Sequence, residues 1–240
     1  MAPAYAEIYL NDAVRAIGEM LDYAVRDCEC DVDSFFMQFL SSGVAKQFER
    51  GNPKFVGGMS GVELALEVFR RTTDQIPDVD ASAYGEKSPE YWAGWSIAYY
   101  QWETGMPFHE IISHGLTVST VCSMYLLHEA DIRKFAEAAD KVIQENLRES
   151  ETNLKRIRRA NGLSQKQLAE VSGVTLRMIQ LYEQRQNDIN KARASTLRAL
   201  AKSLNCQLED LMEPKIATDR GIKQTCPQNT AVKGRQKANR

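Results

Sequence analysis

The sequence contains no long apolar run. Nowhere in its 240 residues do 18 uninterrupted apolar side chains occur, so no stretch reads as a membrane span. The first residues, MAPAYAEIYLND, have neither a basic region nor an apolar run, and no signal peptide is expected. Histidine is scarce: His109, His114 and His128 are the three, and none joins a cysteine pair at metal-ligand spacing. The five cysteines, Cys28, Cys30, Cys122, Cys206 and Cys226, are odd in number and scattered, the pattern of reduced thiols in the cytoplasm. Cys28-Glu29-Cys30 is a lone pair, which is weak evidence for metal or redox chemistry. A Gly-rich phosphate loop, a nucleophile elbow and an HExxH motif are all missing. The expectation is a protein without metal or cofactor, and not an enzyme.

What the chain does have is charge, unevenly placed. The overall net charge of −2 conceals two opposed halves. Residues 1–150 hold 12 Lys/Arg against 24 Asp/Glu, and residues 151–240 hold 18 against 8. A half at −12 joined to a half at +10 implies different partners, with the basic half facing polyanions.

The acidic half reads as all-helical. Leu10, Val14, Ile17, Leu21 and Val25 form one helical stripe. Asp31 or Asp33 caps a second helix carrying Phe35, Phe36, Phe39, Leu40, Val44 and Phe48, broken by the Gly/Pro-bearing segment 51–61. Ser60 and Glu63 have capping-box spacing for a helix through Phe69, and residues 71–88 read as a loop. Ser88-Pro89 opens a helix on which Trp92, Trp95, Tyr99 and Trp102 share a face. That face is either a pocket or partner surface or, as the commoner alternative, a buried core. In residues 108–124, Ile111, Gly115 and Val121 have the spacing of a second helix-turn-helix. Bulky Ile111 and the acidic surroundings favour a core hairpin instead. A further amphipathic helix starts after Asp131, with Ile132, Phe135, Ala139 and Val142 inward, and residues 144–153 are its continuation or a linker.

The basic half contains the most informative stretch, SQKQLAEVSGVTLRMIQLYE from Ser164 to Glu183. Ser164 and Thr175 are placed to cap two short helices, with Gly173 at the turn between them. Leu168, Ala169, Ile179 and Tyr182 make an apolar seam. Leu176, Arg177, Gln180, Leu181 and Gln184 are left on an outward face. A short helix presenting Arg and Gln beside a sharp turn suits the major groove of double-stranded DNA.

This stretch, with KRIRRANG before it and STLRALAKSLNCQLEDLM after it, resembles the Cro/cI-repressor type helix-turn-helix family over about residues 153–212. The resemblance implies a five-helix lambda-repressor-like DNA-binding domain at 150–214. With the helical periodicity of residues 1–149, read as an N-terminal helical domain, the expected fold is all-α, and the basic residues 215–240, poor in large apolar side chains, read as a disordered tail. It implies that Arg158 pairs with Glu183 as a structural link. It makes Gln165 a phosphate anchor at a helix N-terminus, with Lys166, Gln184, Arg185, Lys191 and Arg193 as further phosphate candidates. Thr175, Leu176, Arg177, Gln180 and Leu181 are the base-contacting candidates. Many relatives carry Gly where this chain has Arg185, and the loop from Gln184 is long. Leu197, Leu200, Ala201 and Leu204 form the next core face, closed by Leu208 and Leu211.

The functional expectation is a sequence-specific transcriptional regulator, most simply a homodimeric repressor. The alternatives are an antitoxin-type autorepressor whose N-terminal domain binds a partner protein, a ligand-sensing regulator using the tryptophan face, and an enzyme with a targeting domain.

Overall fold

The computed structural model describes residues 3–73, 76–82 and 84–213. Every regular element among them is helical. In chain order the α-helices are α1 (Leu10–Arg26), α2 (Val32–Ser41), α3 (Val44–Glu49), α4 (Pro53–Val56), α5 (Gly61–Thr72), α6 (Pro89–Thr104) and α7 (Phe108–Ser113). Then follow α8 (Val118–Ser123), α9 (Ile132–Glu149), α10 (Asn153–Ala160), α11 (Gln165–Ser172), α12 (Leu176–Glu183) and α13 (Ala194–Leu204). Short 3-10 turns complete the set, the last at Glu209–Leu211.

The chain forms two compact units. Among the described residues, the first comprises those up to Ile112 together with Thr117–Glu137, and the second comprises Ser113–Leu116 with 138–213. Residues from Gln144 continue α9 to Glu149. The basic tail expected at 215–240, with Cys226, lies outside the described residues.

In the first unit, α1 lies against both α5 and α6. The close approach of α1 and α6 depends on glycine. A Cβ at Gly94 would stand 2.7 Å from the Ile17 carbonyl oxygen and 3.0 Å from Leu21 Cδ1. Caps set the helix starts. The Asp31 carboxylate accepts the Ser34 N–H of α2, and Ser60 and Glu63 form the reciprocal capping box of α5. The single helix expected over Phe35–Phe48 is instead two. Gly43 takes φ 76° and the Ser42 hydroxyl accepts the Val44 N–H at 3.1 Å, ending α2 and restarting the chain as α3. The break turns Phe48 onto Phe108, which also meets Phe36 and Phe39 at ring separations of 5.8 and 5.6 Å.

The aromatic face of α6 is core. Trp92 is 6 % exposed and Trp102 9 %. Trp92 sets its edge on Phe135, the Trp102 indole N–H donates to the Tyr5 carbonyl at 2.9 Å, and half-buried Trp95 stacks on Tyr99. Packing on that face buries Trp92 and Trp102 and leaves Trp95 half-buried. Residues 108–123 do form two short helices around Gly115 at φ 85°, but Phe108, Ile111, Val118 and Val121 are buried in the core. Asp33 Oδ1 already accepts the Ser119 N–H in the first turn of α8, at 3.1 Å. A carboxylate therefore sits where a second helix-turn-helix would need a phosphate. In α9 the inward residue is Ile143, fully buried, rather than Val142, because the buried stripe runs from Ala136 to Ala139, three residues on, and then to Ile143, four further.

Candidate nucleic-acid interface

The second unit contains α10 to α13 around a core of Leu154, Leu168, Ile179, Tyr182, Ile189, Leu200, Ala201, Leu204 and Leu211. The fifth helix of the expected domain is a single 3-10 turn, Glu209–Leu211. Leu211 is fully buried there, whereas Leu208 is 37 % exposed and takes no part in closing the core. Leu197 packs against the core from its margin. The loop from Gln184 is anchored by buried Ile189, which sits in a 3-10 turn started by the Asp188 side chain. That anchor was missed in the sequence because a lone Ile in a polar loop has no period to reveal it.

Sequence dictates the α11–turn–α12 geometry residue by residue. The Ser164 hydroxyl accepts the Gln167 N–H, and the Gln167 side chain accepts the Ser164 N–H at 2.8 Å, closing a capping box. Gly173 ends α11 at φ 70° with its N–H on the Ala169 carbonyl. Two residues on, the Thr175 hydroxyl accepts the Met178 N–H and begins α12. Ile179 and Tyr182 turn α12 inward, and burial raises the Tyr182 hydroxyl pKa.

A buried ion pair fixes α12 against α10. Arg158 Nε and Nη2 donate to the two carboxylate oxygens of Glu183 at 2.6 and 2.9 Å, and Nη1 donates to the Leu163 carbonyl at 2.6 Å. The side chains are 10 % and 2 % exposed. The adjoining carboxylate raises the arginine pKa further above its ordinary value. Gln165 joins the pair, its amide donating to Glu183 Oε2 at 2.8 Å. One amide N–H of half-buried Gln165 is thus committed inside the domain.

The base-contacting candidates share one side of α12. Thr175, Leu176 and Arg177 are exposed, and Gln180 and Leu181 are half-buried at the margin of that face. Lys166, Gln184, Lys191 and Arg193 are exposed around it, with Lys191 Nζ 3.6 Å from the Asp188 carboxylate. Arg185 is placed otherwise. Its guanidinium is turned to Glu213 and to Ser150, so the structure gives this phosphate candidate internal partners. Sequence reasoning missed Glu213, Asn190 and Asn153, the other members of that network. The one signal available was the arginine standing where relatives carry glycine, which marks the position but not its partners. Within residues 151–213 there are 11 Lys/Arg against 7 Asp/Glu, so much of the positive charge of this half lies beyond the described domain.

Two capped helices across a glycine turn, with a polar outward face on the second and a buried Arg–Glu link behind it, define a helix-turn-helix DNA-binding domain. A family model described as helix-turn-helix matches residues 154–211, and the N-terminal half matches no family. These residues form a Cro/cI-type helix-turn-helix domain, which marks the chain as a DNA-binding transcription regulator. No curated protein and no solved structure matches the chain. Among the described residues, no helix is long and apolar enough to cross a membrane.

Proposed function

We propose that the chain is a sequence-specific repressor that binds a pseudo-palindromic operator as a homodimer in the cytoplasm, with α12 in the major groove. The observation that carries this reading is the row of exposed Leu176 and Arg177 with half-buried Gln180 on a helix held from behind by Ile179, Tyr182 and the Arg158–Glu183 pair. Arg177 is suited to fork onto guanine O6 and N7, Gln180 to pair with adenine, and Leu176 to pack on a thymine methyl. Thr175 and Leu181 flank these contacts, while Gln165, Lys166, Gln184, Lys191 and Arg193 supply phosphate contacts that set register. Two copies would read half-sites about one helical turn apart.

The acidic first unit then acts by binding, as dimeriser or as the surface for a protein partner, and not by catalysis. The net charge of −12 over residues 1–150, which include that unit, favours a basic partner and so keeps the antitoxin-type autorepressor as a second reading. Selection of the full chain on random duplexes, with salt titrated, tests the proposal. Enrichment of an inverted repeat supports it. Salt-sensitive binding without any preferred sequence overturns it.

A further inference from the structure

Arg185 is out of place by backbone rules. It lies two residues past Glu183 at φ 54°, a left-handed conformation that glycine adopts freely and arginine does not. Its side chain shows what it does there. The guanidinium reaches the Glu213 carboxylate through Nη1, and through Nη2 it donates to the Ser150 hydroxyl at 3.2 Å. The other oxygen of Glu213 accepts the Asn153 N–H at 2.7 Å, capping the first position of α10 with a negative charge. The backbone of Glu213 is held as well. Its N–H donates to Asn190 Oδ1 at 2.9 Å, and its carbonyl accepts from Asn190 Nδ2 at 2.7 Å. Asn153 Nδ2 adds a bond to the Met212 carbonyl at 2.7 Å.

Glu213 thus gathers the start of α10 and Arg185, two residues past α12, through its carboxylate, and the middle of the following loop through its backbone. The Arg185 and Glu213 side chains are 25 % and 18 % exposed, enough removed from water for the pairing to hold against salt. Asn190 precedes Lys191 and Arg193, two of the phosphate candidates. Whatever holds Asn190 therefore sets where those cations stand.

We propose that Glu213 and Arg185 are positioning residues, forming a clasp that holds the loop 184–193 in the conformation that meets the DNA backbone. The proposal rests on the reading of α12 as the base-reading helix. Its content is that an acidic residue outside the reading helix strengthens binding to a polyanion. Simple electrostatics gives the opposite sign. Removing the Glu213 charge should tighten binding if Arg185 is a phosphate ligand merely neutralised by it.

The test measures Glu213→Gln in the full chain against the selected operator and a random duplex of equal length. Loss of the charge-assisted bonds should weaken operator binding roughly ten-fold, with a smaller effect on the random duplex. Arg185→Gly, which relieves the backbone, should show a similar loss and an unchanged salt slope. The double variant should be no worse than either single one, as expected for members of one unit. Hydrogen exchange without DNA supplies the second readout: residues 184–193 should exchange faster in Glu213→Gln while the α11 amides keep their protection. Unchanged or tighter operator binding by Glu213→Gln overturns the clasp, as does a salt slope lowered by about one in Arg185→Gly. If the wild-type chain selects no operator, the base-reading assignment has failed, and the exchange measurement decides alone whether the clasp holds the loop.

Discussion

Removing Arg158 alone should be far more damaging than removing it together with its partner. In Arg158→Ala the Glu183 carboxylate, 2 % exposed, loses both guanidinium bonds and keeps only the Gln165 amide, while the Leu163 carbonyl loses its bond from Nη1. A buried charge stripped of its partner costs about 3–5 kcal/mol. A domain of this size has only about 3–9 kcal/mol of stability in total. Arg158→Ala should therefore unfold most of the helix-turn-helix domain near physiological temperature. Replacing both, as Arg158→Met with Glu183→Leu, removes the stranded charge and should recover most of the loss. The assay has an internal control, because Trp92, Trp95 and Trp102 all lie in the first unit. Tryptophan fluorescence should report an unchanged first transition, while far-ultraviolet dichroism and hydrogen exchange over 153–212 report the lost one. The reasoning is refuted if Arg158→Ala costs less than about 1 kcal/mol, or if the double variant is as unstable as the sum of the singles.

Other expectations follow from single features. Arg177→Ala should lower operator affinity by about 1–3 kcal/mol, with melting unchanged, because the side chain is exposed and touches nothing in the core; competition binding reads it. Two glycine substitutions should separate space from backbone conformation. Gly173→Ala meets no atom within 4 Å and should cost only the positive φ, about 1 kcal/mol in the second unit's melt. Gly94→Ala drives a Cβ to 2.7 Å from the Ile17 carbonyl and should cost about 1–3 kcal/mol in the first unit's melt, read by tryptophan fluorescence. The Glu67 carboxyl, bonded by Arg70 and also by Arg71, is held down at about 2. Its folded pKa lies below the unfolded one, so its contribution is present above about pH 5 and is lost as pH falls towards 2. Discounted for solvent, that contribution is about 1 kcal/mol, and Glu67→Gln should flatten this part of the first unit's stability–pH curve.

Much of this molecule can be read directly from its residues, and the places where reading stops have physical causes. Caps are local: Ser60, Ser88, Ser164 and Thr175 each bond an N–H three residues on, so the sequence alone places those helix starts, and Asp31 does the same where the sequence leaves Asp33 as the alternative. The outward row on α12 is equally legible, since helical period separates it from Ile179 and Tyr182. Long-range choices are not. Gly43 and Ser42 split a phenylalanine-rich helix whose pattern would run on unbroken. The tryptophan face is core because Phe135 and Tyr5, 43 and 97 residues away from their partners, pack onto it. Glu213 meets Asn153 across 60 residues, a distance that no periodicity spans. Arg185 reads as a phosphate candidate for the same reason, since its partners Ser150 and Glu213 lie 35 and 28 residues away in the chain.

The brevity of α12 limits how precisely one domain can address a genome. Eight residues rise about 12 Å, which along the groove is the length of about four base pairs. A four-letter word recurs by chance about once in every 250 base pairs, so a single reading helix finds far more decoys than targets. Doubling the word to two half-sites multiplies the mean spacing to about 65,000 base pairs, and a fixed gap between them excludes decoys that match only one half. The informational shortage built into a two-turn helix thus makes pairing, indirect readout or a second recognition surface a requirement for any selective regulator of this design.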